Sequence, residues 1–214
     1  MLQSCFALYF SEPITGWVVD ADTGKPLEGV IVTANWAVNE GNLAGTNSGG
    51  QIQIMETVTY LAGRYHFPAW GPKPLPPKKN GWWVDQYIGN EDPGLMFFKN
   101  GYRLDTRSNA LVSERNTSSI RRSDWNGKTI KLKFIGANEK EYVEDLSRAR
   151  GMLSFALSAD GCEWEKIPRM LAALLKETEK FRKPGTYTSL LTLARIPENP
   201  HCGSPQEFLK EYLK

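Results

Sequence analysis

The chain has 214 residues, 41% of them apolar, with 26 Lys and Arg against 24 Asp and Glu and a formal net charge of +2. That length can bury one good core or a core with an appended subdomain. The balanced charge gives no global field for nucleic acid or an anionic membrane, and no run of about 18 apolar residues offers a membrane-spanning helix.

Residues 1–13 read as an N-terminal tether ending at Pro13. Two β-branched runs follow, 15–19 and 30–34, flanking a connection that holds Asp22-Thr23-Gly24, Lys25-Pro26 and Gly29. Valine and isoleucine suit a half-buried pleated surface, glycine supplies positive φ, and proline fixes φ near −65°. The pattern predicts strand, tight connection, strand. Residues 37–50 are polar and Gly-rich and predict a flexible connection; Gly41–Gly50 lacks the Gly-Lys-Ser/Thr of a phosphate-binding loop.

Period-two alternation resumes over 51–60, with Ile52, Ile54, Val58 and Tyr60 on one face and Met55, Thr57 and Thr59 on the other. Ala62-Gly63 forms a turn, and 64–67 a return strand with Tyr65 and Phe67 inward and His66 outward, so 56–67 reads as a hairpin. Residues 70–92 are too long and proline-rich for a turn and predict a loop. Residues 95–98 form a short strand, 102–104 another, and 106–127 are irregular. A closing strand at 129–135 turns Ile130, Leu132 and Phe134 inward and Lys131 and Lys133 outward.

From Asn138 the period changes to 3.6. Asn138 can cap a helix whose apolar face is Tyr142, Leu146, Ala149, Leu153 and Ala156. A second helix spans about 163–182 and becomes regular at Pro168, which a first turn accepts; shorter helices follow over 188–195 and 205–213.

Three patterns carry candidate chemistry. Leu2-Gln3-Ser4-Cys5 resembles the end of a bacterial lipobox, Gln3 departing from it, so Cys5 is either a lipidation site and membrane tether or an ordinary thiol. Cys162 and Cys202 sit beside loop signals; pairing them would add about 3–4 kcal/mol in the chain-entropy model and imply an oxidising compartment, whereas two buried thiols are the alternative. Trp70, Trp82, Trp83 and Tyr87 in the proline-rich loop either bind a glycan or protein ligand or pack the loop onto the sheet.

Other constellations are poor. His66 and His201 lack the spacing of a zinc site, and a nucleophilic Cys162 or Cys202 with either histidine competes with the disulfide. Arg115, Arg121, Arg122 and Lys128 around Trp125 form a basic segment diluted by Glu114 and Asp124, and Asn116-Thr117-Ser118 is a glycosylation sequon by letter. No catalytic set, metal site or cofactor motif emerges, and no nucleic-acid partner is expected.

Gly16, Val18-Val19-Asp20, Thr23-Gly24, Pro26, Gly29 and Val30-Ile31-Val32 resemble the opening of a carboxypeptidase regulatory-like domain. Ala62-Gly63-Arg64-Tyr65 is similar to that family's hairpin return, and Lys99-Asn100-Gly101-Tyr102 to the element before its closing strand. The resemblance covers 14–135, with departures at 37–50 and 70–92. It implies a prealbumin-like (transthyretin-like), seven-stranded antiparallel β-sandwich over 14–136, followed here by a helical C-terminal subdomain at 137–214, as bacterial lipoproteins of this kind carry. It also implies a module that does no chemistry itself: a non-enzymatic, exported binding or structural protein of the periplasm or cell envelope. The alternative is an accessory domain of a hydrolase or peptidase assembly.

Overall fold

The computed structural model describes residues 7–42, 45–81, 83–110, 119–136, 138–158, 161–181 and 189–214. Cys5, Trp82, Glu114, Arg115, the sequon at 116–118, the end of the second predicted helix and the start of the third lie outside them. In chain order the strands are β1 (Leu8–Ser11), β2 (Ile14–Asp20), β3 (Ile31–Asn42), β4 (Gly45–Val58), β5 (Arg64–Phe67) and β6 (Trp70–Pro74). Then come β7 (Asp85–Ile88), β8 (Gly94–Phe98), β9 (Asp105–Arg107), β10 (Ile120–Arg121) and β11 (Thr129–Leu132), followed by α1 (Glu139–Met152), α2 (Pro168–Lys180) and α3 (Pro205–Leu209).

Three sheets result. β11-β2-β5 faces a central sheet of order β4-β3-β8-β9, and β7 joins β3 beyond the end of β8. One core fills the space between them: Ile14 and Val18 of β2, Tyr65 and Phe67 of β5 and Ile130 and Leu132 of β11 meet Val32, Ala34, Trp36, Leu95 and Phe97 of the central sheet. Successive side chains of a strand point to opposite faces. Met96 and Phe98 therefore turn the other way, into a second core with Tyr142, Leu146, Met170, Leu171 and Leu174 of the helices. The central sheet is buried on both faces, and the helical segment shares a core with it. Glu56 of β4 fastens this layer: its carboxylate accepts the backbone N–H groups of Arg169 (3.1 Å) and Met170 (2.7 Å), capping α2, whose own N-cap residue supplies no side-chain bond. Asn138 caps α1 as its position predicts, accepting from the Glu141 N–H at 3.3 Å. Cys162 and Cys202 form a disulfide, with Cα atoms 5.8 Å apart.

Several expectations are corrected. The sheets are not wholly antiparallel: β11 runs parallel to β2, and β10 parallel to β1. Residues 37–50 are not a flexible connection: β3 and β4 pair from Ile31↔Val58 to Asn42↔Gly45. A bulge places Ile52 between the pairs Trp36↔Gln53 and Ala37↔Gln51, and the extra residue inverts the alternation. Ile52 thus enters the inter-sheet core and Ile54 the helix-facing core, not one face. Residues 56–67 are not a hairpin, because β4 pairs with β3 and β5 with β2. The chain crosses between sheets through a 3-10 turn at Leu61–Gly63, where Gly63 (φ 68°) passes so close to β2 that a Cβ would stand 2.2 Å from the Val18 carbonyl oxygen. The tether at 1–13 is shorter than predicted, since Leu8–Ser11 is the middle strand of the third sheet, β10-β1-β6. Phe134 lies beyond β11 and is exposed, packing edge-on to Tyr102 instead of entering the core.

The motif residues behind the resemblance build turns. Asp20 Oδ1 accepts from Asp22 N (3.1 Å), Thr23 N (2.8 Å) and Thr23 Oγ1 (2.9 Å), and Oδ2 accepts from the Tyr102 hydroxyl (3.1 Å). The Thr23 backbone N–H leads the contacts that hold the Asp20 carboxyl below its usual range. Gly16 is required because a Cβ would stand 2.5 Å from the buried Tyr65 hydroxyl.

Candidate functional site

The end of β3 carries a buried acid that the sequence reading passed over. Trp36, Val38 and Glu40 follow one another inward, and Glu40 is 1% exposed. Gly49 makes room for it: a Cβ there would stand 2.8 Å from Glu40 Cγ. The Glu40 carboxylate accepts from Lys79 N (2.8 Å), Asn80 N (2.9 Å), Asn80 Nδ2 (2.7 Å) and Gln86 Nε2 (2.9 Å). Burial alone would push its pKa up; the backbone N–H groups of Lys79 and Asn80, with the two side-chain amides, outweigh that and hold it below the usual carboxylate value. Gln86 Nε2 also donates to the Pro76 carbonyl (3.1 Å), and Lys78 Nζ donates to the Val84 carbonyl. The loop between β6 and β7 is therefore tied down at several points by groups from β3 and β7.

This anchored loop displays aromatic surface. Trp83 is 63% exposed and its ring lies across Gly81, where a Cβ would stand 2.6 Å from the indole. Tyr87, paired with Asn39, is 43% exposed. The start of the same loop lines a largely apolar groove of about 860 Å³, with Ala7, Leu8, Pro74, Leu75, Pro76 and Gln86 among its walls. Trp70 is not part of the display. It is 7% exposed, edge-on to Trp36 at 5.4 Å, with Lys73 Nζ 5.9 Å from its ring centre, so it closes the sandwich core. Of the described candidates, Trp83 and Tyr87 are thus exposed, and Trp70 is buried.

The remaining candidates scatter. His66 is exposed, its Nδ1 2.8 Å from Thr15 Oγ1, and His201 sits in a turn whose backbone donates to Asn199 Oδ1. Among the described residues no three His, Cys, Asp or Glu side chains converge as for a metal. The predicted basic segment is not a patch: Arg121 is 2% exposed and donates to the Gly89 carbonyl, while Arg122 pairs with Glu12 at 2.7 Å. Trp125 lies beneath the Arg107 guanidinium, 4.8 Å from the ring centre, and donates to the Ser108 carbonyl. Near Arg121, burial pushes the Asp92 carboxyl up to about 7 against the opposing pull of the Ala37 N–H and the Arg121 charge.

No family model and no curated protein matches the chain. Among solved structures it is similar to the group B streptococcus pilus 2b backbone protein, at 13% identity and a TM-score of 0.27, covering 58% of this chain and 41% of that one. It is also similar to 3-chlorocatechol 1,2-dioxygenase from Rhodococcus opacus 1CP, at 16% identity and a TM-score of 0.33, covering 62% of each chain. For catechol 1,2-dioxygenase from Pseudomonas arvilla C-1 the identity is 15% and the TM-score 0.29, covering 65% of this chain and 56% of that one. The chain spans less than two thirds of each of these proteins, and likeness at this level assigns no activity.

Proposed function

We propose that the protein is a non-enzymatic, exported β-sandwich module of the bacterial cell envelope that binds a protein or glycan ligand through Trp83 and Tyr87. The observation that carries this reading is the Glu40 anchor. A buried carboxylate with four donors holds a loop whose most prominent side chain, Trp83, faces solvent. Fixing an aromatic in its displayed position lowers the ordering cost of binding, which is the use to which rigid aromatic anchors are put at interfaces. The prealbumin-like reading is supported by the core packed between β11-β2-β5 and the five-stranded sheet of β4, β3, β8, β9 and β7. Export is supported by the Cys162–Cys202 disulfide, which persists in oxidising compartments. Lipidation at Cys5 remains part of the proposal and would place the anchor close in sequence to Ala7, at the rim of the apolar groove.

The test is ligand capture by the immobilised protein from an array of cell-envelope glycans and from envelope extract. Trp83→Ala with Tyr87→Ala is expected to abolish capture while moving Tm by less than about 2 °C, below the shift of a 1 kcal/mol stability loss in a chain this long. Unchanged capture, or a variant that unfolds, contradicts the reading.

A further inference from the structure

The outer face of β11-β2-β5 carries a second surface that neither the aromatic loop nor the fold explains. Register fixes its layout. Trp17 of the middle strand lies between Arg64 of β5 and Thr129 of β11; Thr15 lies opposite His66, and Val19 opposite Lys131. Lys133 follows one residue past the end of β11 and is exposed. All of Arg64, His66, Lys131 and Lys133 are exposed, and Trp17 is 38% exposed. With adjacent strands about 4.8 Å apart, this is a strip roughly 10 Å wide, an indole at its centre and cations along both sides.

One solvated face is ordinary for a sheet with an antiparallel pair, and in this mixed sheet, where β5 runs antiparallel and β11 parallel to β2, polar residues on it need no partner. Two features separate this face from that default. A large indole occupies the solvent side of the central strand, where a polar residue would serve. The three cations are also left without acids: none of Arg64, Lys131 and Lys133 forms a salt bridge with a described residue, although Arg122, Arg148 and Lys180 each do so elsewhere. The acid of β2, Asp20, is consumed by Thr23 and Tyr102, leaving Asp22 in the following turn as the nearest exposed acid in sequence.

We infer that this face binds an acidic polysaccharide. A sugar ring presents a face of C–H groups that stacks on the Trp17 indole, and its carboxylates meet Arg64 on one side and Lys131 and Lys133 on the other. Thr15 and Thr129 add hydroxyls for the ring substituents. Nucleic acid fits less well, because its binders are far more basic than a chain of pI 8.3 with sparse, well-separated cations.

Affinity electrophoresis through gels containing polygalacturonate, dextran or neither tests the inference, with an oligothymidylate shift assay alongside. Wild type is expected to be retarded by polygalacturonate and not by dextran, less so as salt rises. Lys131→Glu with Lys133→Glu, both on exposed positions, should abolish the retardation, and Trp17→Thr should weaken it by roughly tenfold, the scale of one lost ring-stacking contact. Trp83→Ala should leave it unchanged, which separates this surface from the loop. No retardation, equal retardation by dextran, stronger binding of oligothymidylate, or a charge-reversed variant that still binds would each overturn the proposal.

Discussion

At the scale of single residues, two desolvated acids, the buried Glu40 and the half-buried Asp92, act in opposite directions with pH. Glu40 is held below its ordinary value, so its contribution is fully present above the unfolded pKa and is lost as pH falls through the folded one. Asp92 is the reverse case. Its carboxyl is pushed up to about 7, so the native state binds the extra proton and stability drains away as pH rises from the ordinary carboxylate range toward 7. Urea unfolding of wild type and Asp92→Asn at pH 5 and pH 8 should therefore show the variant gaining on wild type at the higher pH; a difference that is flat or reversed contradicts this account of the site. Gly63 gives a third expectation. With φ at 68° and the Val18 carbonyl where its Cβ would lie, Gly63→Ala should cost more than about 1 kcal/mol, read as a fall in the urea midpoint.

At the scale of elements, the sequence pattern was a good guide wherever alternation ran unbroken. Tyr65, Phe67, Ile130 and Leu132 all face inward as the period of two requires, and Pro168 opens the regular part of α2. Three features escaped it. A bulge adds one residue without a compositional mark, so Ile52 and Ile54 looked like neighbours on one face. Pairing partners are not written in a strand, so β5 seemed to fold back on β4 when its partner is β2. The glycines at 49 and 50 read as flexibility, whereas Gly49 clears space for Glu40. Glu40 itself could be flagged only by its place two residues after Val38 in an inward series, a signal the polar context concealed. Among the four aromatic candidates, nothing in the letters separated Trp70, whose neighbour in the strand pairing is Ser11, from the exposed Trp83. The disulfide joins the segment before α2 to the turn before α3, across 40 positions. Reduction, or Cys162→Ser with Cys202→Ser, should lower stability by about 3–4 kcal/mol in the chain-entropy model, measured as a shift of the urea midpoint.

At the scale of the whole molecule, the architecture is a sandwich whose central sheet is shared: one face belongs to the inter-sheet core, the other to the helices. Such an arrangement leaves the faces of the central sheet committed to packing. Both surfaces proposed above lie outside that sheet's packed faces, at the loop end beyond β3 and β7 and on the outer face of β11-β2-β5. The most direct test of the loop's role is amide hydrogen exchange over residues 76–88, in wild type and Glu40→Gln. Wild type should be protected at pH 7 and lose that protection in acid, after correction for intrinsic exchange, while the variant should lack it at both pH values with the strands of the sandwich unchanged. Equal uptake in the two proteins at pH 7 would contradict the claim that Glu40 holds the aromatic loop in place.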